Sequence, residues 1–139
     1  MSLQIVEKFF DSISNRDLDG AMSILSDDHV SHDHGTGIVM TGIDENRADM
    51  ENWLSMMSEM KVEILNSVES GNTVVVEMKM TGVNTGDIMM PDGTKVPATG
   101  KSVEMNGCQV MEFDGDKMTK SSQYYSMMSM MAQLGLMPE

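Results

Sequence analysis

The residue types best suited to chemistry lie in one short segment, in which histidines alternate with aspartates. It contains His29, His32 and His34 among Asp27, Asp28 and Asp33. Imidazole and carboxylate groups are ligands that zinc and iron accept in proteins. On a strand, however, His32 and His34 share one face and His29 points to the other. Since no second cluster in the sequence completes a ligand set, we expect pocket-lining or structural histidines, and no metal.

Acid/base chemistry has candidates in this segment and in a later strand. Neighbours on a strand point to opposite faces, so only one of His32 and Asp33 can line a pocket. An inward imidazole can serve as a base or a hydrogen-bond donor, and the alternative is a histidine bonded to a backbone carbonyl. Glu112, between Met111 and Phe113, is a candidate buried carboxylate, although an exposed strand position is the commoner situation.

Hydroxyl groups form a second set near the end of the chain. Tyr124 has the same strand parity as Ser122 and Ser126, so these three side chains can line one wall of a pocket. Tyr125 is then expected to point outward, towards a subunit interface. Such a wall would offer hydrogen bonds to a ligand oxygen.

Methionine is unusually frequent, with 19 residues in the chain. Two groups, 56–60 and 127–131, resemble copper(I) sites because thioether sulfur is a soft ligand. The same positions are those at which an amphipathic helix or strand needs a large apolar residue, and methionine fills such positions flexibly. We therefore expect these methionines to form a core and a pliable apolar pocket.

Helices come first and a run of strands follows. Helical spacing predicts helices over 3–15, from Asp17 or Asp19 to about Leu25, from 41–44 to 57, and over 127–134. Alternation predicts strands over 29–33, 61–68, 74–81, 102–113 and 118–125, with one long irregular connection over 82–100. This order indicates an α+β fold in a single domain spanning residues 1–139.

Composition excludes several classes of protein. The formal net charge is −13 and the basic residues do not cluster, so nucleic acid and anionic membranes are unlikely partners. No apolar run reaches the roughly 20 residues that span a bilayer. The single cysteine, Cys108, cannot form an intrachain disulfide, and the N-terminal residues lack a signal-peptide pattern. Both features favour the cytoplasm.

The chain resembles the SnoaL-like polyketide cyclases of the nuclear-transport-factor-2-like superfamily. The resemblance rests on the order and spacing of several segments. These are Val6 to Phe10, Asn15 to Ala21, His32-Asp33, Thr81 to Gly86, Pro97 to Lys101, Phe113 to Met118 and Ala132 to Pro138. It implies a cone-shaped, curled antiparallel or mixed sheet wrapped around the N-terminal helices, as in a cystatin-like α+β barrel, with a deep cavity.

The resemblance also implies an activity. Cyclases of this family close a ring in a polycyclic ester or ketone by an intramolecular aldol step, without cofactor or metal. That step removes a proton next to a carbonyl and stabilises an enolate.

Proteins of this fold usually pair through the outer face of the sheet. A homodimer, or a tetramer, is therefore expected, with Val75 and Tyr125 at the interface.

The last strand differs from the family pattern. Lys120, Ser122 and Ser126 stand where the family has Glu, Trp and the general acid/base Asp, and Asn84 replaces a histidine. The resemblance implies His32 as base with Asn84 and Tyr124 as donors, and Glu112 is the remaining carboxylate. The expected ligand-binding residues are Trp53, Met78, Met80, Met89, Ser122 and Ser126.

Three functions stay open at this point. The first is a cyclase- or isomerase-type enzyme that acts on a hydrophobic oxygenated small molecule. The second is a non-catalytic binding module that kept the cavity without the acid. The third, an epoxide hydrolase, needs two carboxylates and an arginine around one water, and the only arginines are Arg16 and Arg47.

Overall fold

A computed structural model describes residues 2–90 and 92–137. The chain contains four helices in this part, and each has a local cause. α1 (Ser2–Ser14) buries one apolar stripe formed by Val6, Phe9, Phe10 and Ile13. α2 (Leu18–Met22) begins after Asp17, whose side chain accepts a hydrogen bond from the Gly20 amide. α3 (Gly42–Met56) and α4 (Met127–Gln133) follow later, and Ser126 caps α4.

Six strands form one mixed sheet. They are β1 (Leu25–Asp33), β2 (Ile38–Thr41), β3 (Met57–Ser70), β4 (Thr73–Asn84), β7 (Ser102–Asp114) and β8 (Lys117–Tyr125). The order across the sheet is β2-β1-β8-β7-β4-β3, and only the β1–β8 pair is parallel. The short strands β5 (Ile88–Met89) and β6 (Lys95–Val96) form a separate hairpin.

The α+β class and the curled mixed sheet with N-terminal helices are confirmed. The expected barrel closure is not found, because β2 and β3 are the two edges and do not pair with each other. α1 packs across β3 and β4, while α3 packs against β1 and β3. The apolar core lies between these helices and the concave face of the sheet.

Two local expectations were wrong. Residues 38–40, which no predicted helix or strand covered, form β2 together with Thr41, the first possible residue of the predicted helix, and β2 pairs antiparallel with β1. The segment 82–100 is not one irregular connection, because β4 continues to Asn84 and the β5–β6 hairpin follows. Both cases are short strands in local hairpins, and contacts with the partner strand stabilise them more than an apolar alternation of their own.

Candidate functional site

The concave face of the sheet and helices α1 and α3 enclose an inner cavity of about 140 Å³. Most of its wall is apolar: Phe9, Phe10, Ile13, Met22, Leu25, Met50, Trp53, Met60, Val62, Met78, Met80 and Met105. Polar groups enter it from four elements, β1, β7, β8 and α3. No lysine or arginine of the described residues lines it. Any ligand therefore meets an apolar surface with a few fixed polar groups.

Strand alternation places the polar groups of β1 and β8. His29, Ser31 and Asp33 point inward from β1, and Ser121, Gln123 and Tyr125 point inward from β8. The two strands are parallel, with Ser31 opposite Ser121 and Asp33 opposite Gln123. Equivalent side chains therefore lie next to each other on one continuous wall.

Helical spacing places the polar groups of α3. Asn46, Asp49, Met50 and Trp53 recur at three- and four-residue intervals and line the cavity together. The amide of Asn46 donates to the carbonyl oxygen of His29 at 3.3 Å and to that of Gly42 at 2.7 Å. The first bond ties α3 to β1, and the second holds the Asn46 side chain against its own helix.

Asp33, Asp49 and Tyr125 form the group that we call the acidic centre. The hydroxyl of Tyr125 donates to Asp33 Oδ2 at 2.9 Å. Asp33 Oδ1 accepts from the amides of Gly35 at 2.9 Å and Thr36 at 3.0 Å. A side chain at position 35 would collide with the ring of Tyr125, so glycine is needed there. The turn after β1 thus holds both Asp33 and Tyr125 in place.

Electrostatics give the members of the acidic centre different protonation states. Burial, together with the negative charge of Asp33, raises the pKa of Asp49 from 3.8 to about 6. Burial and the same charge hold the pKa of Tyr125 well above its usual range. Tyr125 therefore stays a hydroxyl donor at neutral pH, whereas Asp49 changes its protonation state close to neutrality.

A second polar group adjoins the acidic centre, because Gln123 pairs with Asp33 in the register of β1 and β8. His29 Nδ1 is 2.8 Å from the Met118 carbonyl oxygen, and His29 Nε2 is 3.1 Å from Ser121 Oγ. Gln123 connects Ser121 and Ser31, with its amide nitrogen 2.9 Å from Ser121 Oγ and its oxygen 3.0 Å from Ser31 Oγ. Burial lowers the pKa of His29, which favours the neutral imidazole.

An outer groove of about 490 Å³ continues from the inner cavity. The two share Asp33, Asp49 and Trp53, so the acidic centre lies where they meet. Beyond it the groove is lined largely by methionines: Met56, Met89, Met90, Met127, Met130 and Met131. The second polar group lines only the inner cavity, and because His29, Ser31 and Ser121 are buried we call that end the closed one.

Comparison with protein-family models decides the family. The model described as the SnoaL-like domain matches residues 6–121. The chain belongs to the SnoaL-like family. This confirms the resemblance seen in the sequence. Comparison with curated protein sequences gave no significant match.

Solved structures show the same SnoaL-like fold. A protein from Jannaschia sp. CCS1, assigned as a SnoaL-like polyketide cyclase, is 18% identical, with a TM-score of 0.85 over 99% of this chain and 93% of that chain. IdmH of Streptomyces antibioticus, assigned as a polyketide cyclase, is 17% identical, with a TM-score of 0.81 over 97% and 99%. A Catenulispora acidiphila protein with a ketosteroid isomerase-like fold, in complex with trimethylamine, is 20% identical, with a TM-score of 0.82 over 99% and 96%.

Four of the residues expected to bind a ligand line the inner cavity or the outer groove of this SnoaL-like protein. Trp53, Met78 and Met80 line the inner cavity, and Met89 lines the outer groove. Trp53 also packs edge-on against Tyr125, with ring centroids 6.1 Å apart. Ser126 lies elsewhere, where its hydroxyl accepts from the Ser129 amide at 3.0 Å and caps α4.

The expected inward orientation of His32, Ser122 and Tyr124 was wrong. None of them lines the cavity, because the opposite parity of β1 and β8 faces inward. His34 stacks between the other two rings of the outer face, with centroids 6.0 Å from His32 and 4.3 Å from Tyr124. Tyr125, expected at an outer interface, lies in the acidic centre instead.

Asn84 and Glu112 are also separated from the cavity. The amide nitrogen of Asn84 donates to the carbonyl oxygens of Met56 and Gly86, both at 3.0 Å, and its oxygen accepts from Thr99. This buried side chain therefore anchors the segment after β4. Glu112 is exposed on the outer face, 3.8 Å from Lys120 Nζ. The structure therefore brings none of the four expected catalytic residues into the cavity, although His32 and Tyr124 share the ring stack on the outer face.

Neither arginine contacts the carboxylates of the acidic centre, Asp33 and Asp49. Arg16 donates to the main-chain carbonyl oxygens of Leu54 and Met57 at the end of α3. Arg47 pairs with the exposed Asp19 at 2.7 Å. The set of two carboxylates and one arginine that epoxide hydrolysis needs is therefore not assembled.

Sequence reasoning missed Asp49, and it assigned Asp33 and Tyr125 to the wrong face. Asp49 had a signal, because it lies four residues before Trp53 within the apolar stripe of α3. Within the described residues, no group of three or more His, Cys, Asp or Glu side chains is arranged to hold a metal ion. In the same part of the chain, no helix is both long and apolar enough to cross a bilayer.

Proposed function

We propose that this protein is a cofactor-free acid/base enzyme that moves a proton within a small, largely apolar carbonyl compound. Cyclases and isomerases of ketones and esters belong to this class. The observation that carries the proposal is the acidic centre, in which Asp49 lies beside the bonded pair Asp33 and Tyr125 at the edge of an apolar cavity. The names of the two relatives assigned as polyketide cyclases agree with it.

Asp49 is the proton carrier in this mechanism. Its carboxylate takes a proton from the carbon next to the substrate carbonyl, which leaves an enolate and a neutral carboxylic acid. The acid then returns the proton, either to another carbon in an isomerase or to the new alkoxide in a cyclase. A pKa of about 6 makes both directions accessible near neutral pH.

Donors for the enolate oxygen are present in the same cavity. The indole N–H of Trp53 has no hydrogen-bond acceptor among the described residues, and Trp53 lies four residues after Asp49 on α3. The amide of Gln109 contacts only the weak acceptor sulfur of Met78, at 3.3 Å. Both groups are free to bond a developing oxyanion, and such bonds strengthen in a water-poor site.

The volume of the cavity limits the part of the substrate that reacts. A cavity of about 150 Å³ holds one benzene ring, so the 140 Å³ inner cavity accepts a single ring. A larger substrate would extend past the acidic centre into the methionine-lined outer groove. Its reacting carbon would then lie at the junction of the two spaces.

Proton exchange provides the test, because it does not require the natural substrate. The protein is incubated in D₂O with a panel of cyclic ketones and β-keto esters, and loss of the α-proton signal is followed by NMR. Asp49→Asn should lower the exchange rate by about a hundredfold or more. The wild-type rate should rise with pH through about 6, as Asp49 ionises.

Glu112→Gln is the matched control, since Glu112 is an exposed carboxylate on the outer face. It should leave the exchange rate unchanged. Exchange that survives in Asp49→Asn would remove Asp49 from the mechanism and with it the proposal.

A non-catalytic binding module is the second candidate. Ser126 stands at the position of the family's catalytic Asp and is committed to capping α4, outside the cavity. On this alternative, ligands quench the fluorescence of Trp53 but no panel member exchanges a proton faster than in buffer. The same two measurements therefore separate the two functions.

We also propose a homodimer formed through the outer face of the sheet. Apolar side chains are exposed there: Val39 by 49%, Val68 by 60% and Tyr124 by 47%. Val75 lies opposite Val68 in the register of β3 and β4, so it shares this face. Light scattering on the wild type and on Tyr124→Arg should show a dimer and a monomer respectively, and a monomeric wild type would contradict the proposal.

A further inference from the structure

The closed end of the inner cavity contains a chain of four hydrogen-bonded side chains, which we call the closed-end network. Its members are Ser31, Gln123, Ser121 and His29, and the network ends on the carbonyl oxygen of Met118. His29, Ser31 and Ser121 are each more than nine-tenths buried. The acid/base mechanism uses none of these groups.

The carbonyl of Met118 fixes the direction of every bond in the network. A carbonyl oxygen only accepts, so His29 Nδ1 carries the ring proton and Nε2 of the neutral imidazole is an acceptor. Ser121 must then donate its only proton to His29 Nε2. Gln123 Nε2 donates to Ser121 Oγ, and Ser31 donates to the amide oxygen of Gln123.

This direction leaves two hydrogen-bonding positions unfilled next to each other. Ser31 has donated its proton and offers lone pairs, while its 3.3 Å contact with Ser121 Oγ has no proton left to share. Gln123 Nε2 has a second N–H that no described residue accepts. Ser31 and Gln123 both line the cavity. The closed end thus presents one acceptor and one donor to whatever occupies it.

We propose that the closed end is a subsite for a hydroxyl group of the ligand. A hydroxyl both donates and accepts, so it fills both positions: it donates to Ser31 Oγ and accepts from Gln123 Nε2. A carbonyl oxygen fills only the Gln123 position, and a methylene group fills neither. Among simple oxygen functions, an alcohol is the one that satisfies both positions at once.

The distance to the acidic centre sets the spacing of the ligand groups. Ser31 lies two residues before Asp33 on β1, about 7 Å along the strand, whereas Gln123 pairs directly with Asp33 across β1 and β8. The subsite therefore lies within about 7 Å of Asp33. A hydroxyl on one side of a single ring and a carbonyl on the opposite side span such a distance. The substrate class is then a ring ketone bearing a remote hydroxyl, and this last step rests on the proposed proton-transfer function.

A series of three ring compounds tests the subsite on the wild-type protein. They are cyclohexanone, the dione with a second carbonyl opposite the first, and the ketone with a hydroxyl at that position. Binding is followed by the fluorescence of Trp53, the single tryptophan of the chain, which lines the cavity, and is confirmed by calorimetry. The hydroxy ketone should bind about tenfold more tightly than cyclohexanone, with the dione between them.

Equal affinities would overturn the subsite, since they are the result expected if a fixed water fills both positions. A series in which none of the three compounds binds would also overturn it. Ser31→Ala removes the acceptor and should reduce the preference for the hydroxy ketone to about twofold. Ser122→Ala, on the outer face of the same wall, should keep the full preference.

Asp49→Asn separates this inference from the proposed function. Binding does not depend on proton transfer, so this variant should keep the preference for the hydroxyl. Loss of exchange with a retained preference supports both ideas. A preference without any exchange in the wild type contradicts the enzyme alone, and exchange without a preference contradicts the subsite alone.

Discussion

The inward and outward faces of β1 and β8 carry similar side chains in very different settings. Both faces present histidine, serine and tyrosine, on alternate positions of the same two strands. Inward, both ring nitrogens of His29 are bonded and Tyr125 donates to Asp33. Outward, the rings of His34 and Tyr124 stack on each other, and 47% of the Tyr124 surface is exposed.

The difference shows that burial and partners, more than residue type, decide which side chain can do chemistry. Removing the hydrogen-bond partner of a buried group lowers the free energy of unfolding, because no water replaces that partner. At an exposed position, water forms the missing hydrogen bond. The inward face therefore fixes tautomers, protonation states and orientations. The outward face leaves similar groups open to solvent, in contact through their ring faces. Substituting matched pairs from the two faces tests this contrast directly.

The histidine pair should give the largest difference in stability. His29→Ala removes a buried ring and two hydrogen bonds, which should lower the free energy of unfolding by about 3 kcal/mol. His32→Ala, outside the cavity, should change it by less than about 0.5 kcal/mol. Urea unfolding at neutral pH measures both. Similar losses in the two variants would show that the outer stack is as important as the buried network.

Periodicity alone could predict most of the helices and strands. The stripe of α1 and the alternation in β4 and β7 were visible because each of these elements buries one clearly apolar side. The same signal was ambiguous in β1 and β8. In β1 the polar Asp33 faces the cavity and the apolar Val30 does not, which is the reverse of the usual rule that apolar residues face inward.

The site was harder to predict than the fold for the same reason. A site needs polar groups inside, and local sequence does not distinguish an inward polar residue from an outward one. Asp49 is the clearest example, since a charged residue on a helix is normally exposed. Its four-residue spacing from Trp53 was the only sequence feature that indicated an inward position. That spacing becomes informative once α3 is known to pack against the sheet.

The carboxylate pair, Asp49 and Glu112, should give an intermediate difference in stability that depends on pH. Because burial raises the pKa of Asp49 from 3.8 to about 6, ionising this group opposes folding. The penalty is absent below pH 3.8, grows between 3.8 and 6, and is complete above 6. The shift corresponds to about 3 kcal/mol, and solvent contact at this half-buried side chain screens part of it. Asp49→Asn should therefore stabilise the protein by about 2 kcal/mol at pH 8 and by almost nothing near pH 4.

Glu112→Gln is the counterpart for that experiment, because Glu112 is exposed on the outer face. Its stability should follow the wild type at every pH. Thermal unfolding of the three proteins across the pH range measures the effect. A constant offset between Asp49→Asn and the wild type would show that the charge of Asp49 does not oppose folding.

The tyrosine pair should give the smallest difference, and the one that reports most directly on the acidic centre. Tyr125→Phe keeps the ring that packs against Trp53 and removes only the hydroxyl that donates to Asp33 Oδ2. Loss of one hydrogen bond to a carboxylate should cost about 1 to 2 kcal/mol at pH 7. Tyr124→Phe removes a hydroxyl from an exposed side chain and should cost nothing measurable. Chemical denaturation at pH 7 compares the free energies of unfolding of the two variants.

If Tyr125→Phe also left the free energy of unfolding unchanged, Asp33 would be held by the turn amides of Gly35 and Thr36 alone. The tyrosine would then serve the cavity only as an apolar wall.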